Sequence, residues 1–127
     1  MTKNPEDFEL FQKTFMTYRA KFGLTGYKVF FEHGPLEDGD FGAIVISQED
    51  MTATVRLSSN LTKRSKMVKD PVRTAKHEAL HLLTARLVEL CKERFVSPSE
   101  IHEASEELAI KLEMLIPDIL SEEVKGK

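Results

Sequence analysis

Residues 76–83 read KHEALHLL and set His77 and His81 four apart, with Glu78 directly after the first histidine. On a helix, positions four apart lie one above the other, so both imidazoles can direct a nitrogen at a single ion. Glu78 then stands about a third of a turn away, beside the ion rather than on it. Catalytic zinc takes three protein ligands and keeps an open position for water. With Zn2+ in place, Glu78 is the expected general base: it accepts a proton as the metal lowers the water's pKa toward about 7. The zinc-bound water then becomes the nucleophile for a peptide carbonyl that the metal polarises. In a chain of this length and composition the HExxH pattern arises by accident on the order of one percent of the time. The bland alternative is two packing histidines and a solvated Glu78, and each half-buried ring would then need its own polar partner.

The third ligand must come from elsewhere, because the residues after His81 read LLTARLVEL and supply no further histidine. A carboxylate on the next helix is the natural substitute, and Glu103, Glu106, Glu107 and Glu113 are the candidates, with His102 as an outsider. If the two long helices form an antiparallel hairpin about Phe95 and Val96, a residue near Leu80 mirrors one near Leu112, which disfavours Glu103. Glu107 lies on a stripe with Glu103, Ile110 and Met114, beside the apolar face of Ile101, Ala104, Leu108, Leu112 and Leu115. Glu107 is therefore the preferred metal ligand beside His77 and His81, with Glu106, Glu103 and Glu113 still open. For an oxyanion stabiliser, Tyr27, His33, Arg73 and His102 are possible donors, and nothing in the sequence singles one out.

These residues need elements to position them. NPEDFELFQKTFMTYRAKFG reads as a helix with Asn4 as N-cap, Pro5 at the first helical position and Gly23 as its end. Its rings Phe8, Phe11, Phe15, Tyr18 and Phe22 recur at spacings of three and four, as a packing face requires. From Tyr27 the period changes to two, over YKVFFEH, FGAIVIS and MTATVRLSS. Joined by short or turn-like connections, these predict a three-stranded antiparallel meander whose half-polar last strand lies at the edge. The basic NLTKRSKMVK leads to Asp70 and Pro71, the cap and first residue of a long helix to about Glu93. In that helix Leu80, Leu83, Leu87 and Leu90 form one apolar stripe and His77, His81, Thr84 and Val88 a neighbouring one, so the histidines are expected to be partly buried. Ser97 and Glu100 around Pro98 form a capping-box signature for a last helix to about Ile116. The fold class is thus α+β, in a single domain over residues 1–127.

Composition agrees. At 127 residues, with 41% hydrophobic and 31% charged side chains, the chain suits one globular unit. Its net charge of −3 is modest, and Lys63, Arg64, Lys66 and Lys69 lack interleaved aromatics, which argues against a nucleic-acid partner. Cys91 is alone, so no internal disulfide is expected and a reducing, cytoplasmic setting fits. No signal-like or membrane-spanning apolar run is present.

The order of AKHEALHLL after TATVRLS and before EIHEASEELAIKLE resembles the minimal zincin, gluzincin-like metallopeptidase core. It is also similar to small HExxH proteins of phages and prophages. The resemblance implies His77 and His81 as zinc ligands, Glu78 as general base and a glutamate of the last helix as third ligand. It further implies a protein or peptide substrate, of the phage or its host, added as a strand along the edge strand Met51–Ser58. It carries no lid or second lobe, and the non-catalytic alternative is a metal-binding or protein-interaction module built on the same ligands.

Overall fold

Helix α1 (Pro5–Lys21) carries Glu6 and Asp7 in its first turn and Arg19 and Lys21 in its last, each sign matched to the helix dipole. It stops where Gly23 takes a left-handed φ of 71°. Leu24 N–H donates to Arg19 C=O at 2.9 Å and Gly23 N–H to Ala20 C=O at 3.1 Å, the paired bonds of a Schellman end. Phe11, Phe15 and Phe22 are buried. The computed structural model describes residues 5–37, 40–60 and 70–116, so the expected cap Asn4, the basic connection 61–69 and the tail 117–127 lie outside the described residues.

Strands β1 (Lys28–Gly34), β2 (Gly42–Ser47) and β3 (Thr52–Ser58) fall where the period of two places them. The α+β arrangement holds, but the sheet is mixed. Its order is β1-β3-β2, with β3 parallel to β1 and antiparallel to β2. The expectation of an antiparallel meander with Met51–Ser58 at the edge is therefore corrected: β3 is the central strand and pairs on both sides. At its end Ser58 N–H donates to Phe41 C=O and Ser59 N–H to Gly34 C=O, both at 2.9 Å. The connection 35–41 spans two strand spacings, about 10 Å, which seven residues bridge easily.

The half-polar pattern of β3 has a different cause. Opposed residues of neighbouring strands share a face, so Ala53, Val55 and Leu57 lie with Val29, Phe31 and His33 of β1 and with Gly42, Ile44 and Ile46 of β2. This face is covered: Phe31 meets Phe11 and Phe15 edge-on at centroid distances of 6.3 and 5.7 Å, and His33 stacks on Phe8 at 4.7 Å. The opposite face carries Lys28, Phe30, Glu32, Val45, Thr54 and Arg56 and meets solvent, with Phe30 and Val45 about half exposed. Alternation thus reports one open face, not an edge.

Helix α2 (Pro71–Lys92) begins on Asp70, whose carboxylate accepts from Arg73 N–H at 2.8 Å. Helix α3 (Pro98–Leu115) begins with the expected reciprocal cap: Glu100 N–H donates to Ser97 Oγ at 3.1 Å and Ser97 N–H to Glu100 Oε1 at 3.3 Å. No helix among the described residues is long and apolar enough to cross a membrane. The chain divides into two compact units, Met1–Ala85 and Arg86–Lys127, with the boundary inside α2.

Candidate metal centre

Of the expected leucine stripe of helix α2, Leu83 is buried and Leu87 and Leu90 are half-buried, but Leu80 is exposed, and the inward face of the first turns is made of smaller residues. Pro71, Thr74, Ala75, Glu78, Ala79, Leu82, Leu83 and Ala85 are buried, while Leu80, His77 and His81 are exposed. The expected burial of the histidine stripe is corrected accordingly. Small side chains at 74, 75 and 79 allow the helix backbone a close approach that a leucine stripe would prevent. Turning that face inward carries Glu78 to 5% exposure and leaves the imidazoles outside.

The two rings nevertheless converge. His77 Nε2 and His81 Nε2 are 3.2 Å apart, with the rings edge to face at 84°. Two nitrogens bound at about 2.0–2.1 Å to a tetrahedral zinc stand about 3.3 Å apart, so the pair fits the first two positions of such a site. A shared proton, one ring donating to the other, suits the same distance. The reading as histidines packed into a core does not, since both are exposed.

Glu78 lies against the first residue of β2. A Cβ built on Gly42 would be 3.4 Å from Glu78 Oε2, which places the carboxylate on the covered side of the sheet at an outer strand. The buried carboxylate and the exposed imidazole pair thus come from adjacent positions of one helix turn.

The acidic candidates lie on α3, in the second unit. Glu107 accepts from Arg86 Nη1 in a short ion pair, and its other oxygen is 3.7 Å from Lys111 Nζ. Glu103 accepts from Arg86 Nη2 at 3.2 Å. The hydrogen bond to Glu103 is the main reason that the Arg86 guanidinium is held above its ordinary pKa range; desolvation opposes it, and the charge and hydrogen bond of Glu107 add to it. Glu106 and Glu113 are exposed. Among the described residues no group of three or more His, Cys, Asp or Glu side chains gathers where one metal ion could be held.

Of the possible oxyanion donors, Tyr27 is buried and its phenol oxygen accepts from Gln48 Nε2 at 2.6 Å. His33 stacks on Phe8, and Arg73 and His102 are exposed on their helices. Cys91 is a free, exposed thiol. Gly42 is the residue that the motif gave no reason to notice; the one available signal was a glycine at the start of a strand otherwise rich in β-branched residues.

Compared with family models, with curated proteins and with solved structures, the chain matches none.

Proposed function

We propose that the protein is a zinc-dependent peptidase, acting in the cytoplasm on a protein or peptide substrate. The observation that carries this reading is the 3.2 Å approach of two exposed imidazole nitrogens one position away from a buried glutamate. His77 and His81 would hold the ion, and Glu107 is the proposed third ligand, for which it has to exchange Arg86 for the cation. Zinc bound there would polarise the scissile carbonyl and acidify a water molecule. Glu78 would take the proton from that water and pass it to the departing amine, a role that its low exposure favours by keeping bulk solvent from competing.

The substrate strand expected along Met51–Ser58 cannot add there, because both sides of β3 are occupied. Strand addition is reassigned to β2, an outer strand of the sheet, whose Gly42 lies beside Glu78. The second reading, a metal-binding or interaction module without catalysis, is favoured by one observation: the Glu107 carboxylate is held by Arg86 and Lys111.

Elemental analysis of protein purified without added metal or chelator, followed by hydrolysis assays on a peptide library, separates the two. About one zinc per chain is expected, and Glu78→Gln should retain zinc while cleavage falls by about 10²–10⁴-fold. His77→Ala should lose both. Zinc without cleavage in the wild type, or full cleavage in the Glu78→Gln variant, overturns the peptidase reading.

A further inference from the structure

Gly42 has no conformational reason to be glycine. Its φ lies outside the left-handed region, where Gly23 is the only glycine among the described residues. Space is the reason. A Cβ at Gly42 would stand 2.6 Å from Thr74 Cγ2 and 3.1 Å from Arg56 C=O, whereas at Gly34 it would meet nothing within 4 Å. Thr74 cannot easily yield: it is 4% exposed, and its Oγ1 donates to Asp70 C=O at 2.9 Å. Asp70 is in turn fixed as the cap of α2 by the bond from Arg73 N–H. The Arg56 carbonyl is backbone of the central strand and is fixed by pairing on both sides. A side chain at position 42 must therefore push the first turns of α2 away from the sheet.

Thr74 and Glu78 are four apart and lie on the same face of that helix. We infer that Gly42 is a positioning residue for Glu78: the absent side chain sets the spacing between β2 and the helix turn that carries Glu78, His77 and His81. Gly42 has no side chain with which to take part in the chemistry. It acts by letting Thr74 seat, and Thr74 fixes the height of Glu78 over the strand. The inference rests on the reading of Glu78 as general base, yet the spacing itself can be measured without it.

The test uses Gly42→Ala, Thr74→Ser and the double variant. Serine keeps the hydroxyl that bonds Asp70 and removes the methyl that a Cβ at 42 would strike. Gly42→Ala should lower kcat for peptide cleavage by about tenfold to a hundredfold, as a shift on the order of 1 Å does, with KM nearly unchanged. The double variant should recover most of that loss relative to Thr74→Ser alone. A purely structural role would lower stability without splitting kcat from KM in the folded protein. In parallel, amide hydrogen exchange on the metal-free full chain should show faster exchange over residues 74–81 in Gly42→Ala, and a return toward the wild-type rate in the double variant. If Gly42→Ala does not fold, the comparison of the double variant with Thr74→Ser decides: equal exchange and equal kcat support the inference, and unequal values overturn it. Unchanged exchange in a folded Gly42→Ala, or no recovery in the double variant, also overturns it. A wild type without cleavage would remove the peptidase reading and leave the exchange result to judge the spacing.

Discussion

In the unit Met1–Ala85, the rings of Phe11 and Phe15 and the side chains of Val55, Leu57 and Leu82 are almost wholly withdrawn from water. In the unit Arg86–Lys127, Ala104 is the one buried apolar side chain among the described residues, while Phe95 is 88% and Met114 82% exposed. The second unit's apolar face, with Ile101, Leu108, Leu112 and Leu115, is only half-buried, and the Ser97 cap and the Arg86 ion pairs add to it at the ends and surface of its helices. Burial of a large side chain contributes about 1.5–3 kcal/mol, a cap about 1 and an exposed ion pair less than 1. The helix turn that carries Glu78 and the histidine pair is thus anchored by burial on its inner face, and the acidic candidates for a third ligand lie among the weaker effects.

The largest test of this contrast exchanges one phenylalanine in each unit for alanine. Phe15→Ala empties a site packed edge-on against Phe31 and should cost about 3–5 kcal/mol in urea denaturation. Phe95→Ala removes a ring already in water and should stay within about 0.5 kcal/mol. Equal losses would mean that Phe95 packs in solution against something that its exposure does not reveal.

The same contrast explains which features were legible in the sequence. Helix ends depend on local chemistry, so Pro71, Ser97 with Glu100, and Gly23 could be read in advance, and the strand segments followed from their period of two. The place of β3 in the sheet depends on long-range pairing. Its alternation reflected one solvent-facing side of the sheet, a property that central and edge strands share when only one face is covered. The inward face of α2 departs from its leucine pattern for a related reason. Leucine content marks where apolar area is, whereas the close approach of a helix to a sheet selects small residues such as Ala75 and Ala79. The His77–His81 convergence follows from four-residue spacing alone and was therefore visible. The role of Gly42 needs the partner helix to be in place before the missing side chain has any meaning.

An intermediate effect is expected at the cap. Ser97→Ala removes the acceptor for Glu100 N–H and the hydroxyl that donates to Glu100 Oε1, while the backbone N–H of residue 97 keeps its bond to that carboxylate, at a cost of about 1 kcal/mol. The loss should appear as faster amide exchange in the first turn of α3. A matching loss of protection at Val55, deep in the first unit, would show instead that the two units unfold together.

The smallest effect concerns Arg86 and bears most directly on the proposed metal site. Arg86 is about two-fifths exposed and Glu107 similarly so, and a double-mutant cycle between exposed partners returns about 0.2–1 kcal/mol, less at high salt. That coupling limits how strongly Arg86 can compete for the carboxylate. If Glu107 is the third ligand, Arg86→Ala should tighten zinc binding by about fivefold at most, the equivalent of 1 kcal/mol. Glu107→Gln should abolish that gain, and sodium chloride should reduce it. The corresponding changes at Glu106 and Glu113, which are exposed and on other parts of the helix surface, should leave the Arg86 effect intact. A gain that survives Glu107→Gln would assign the third position to another residue, because a guanidinium can restrain only a carboxylate it reaches.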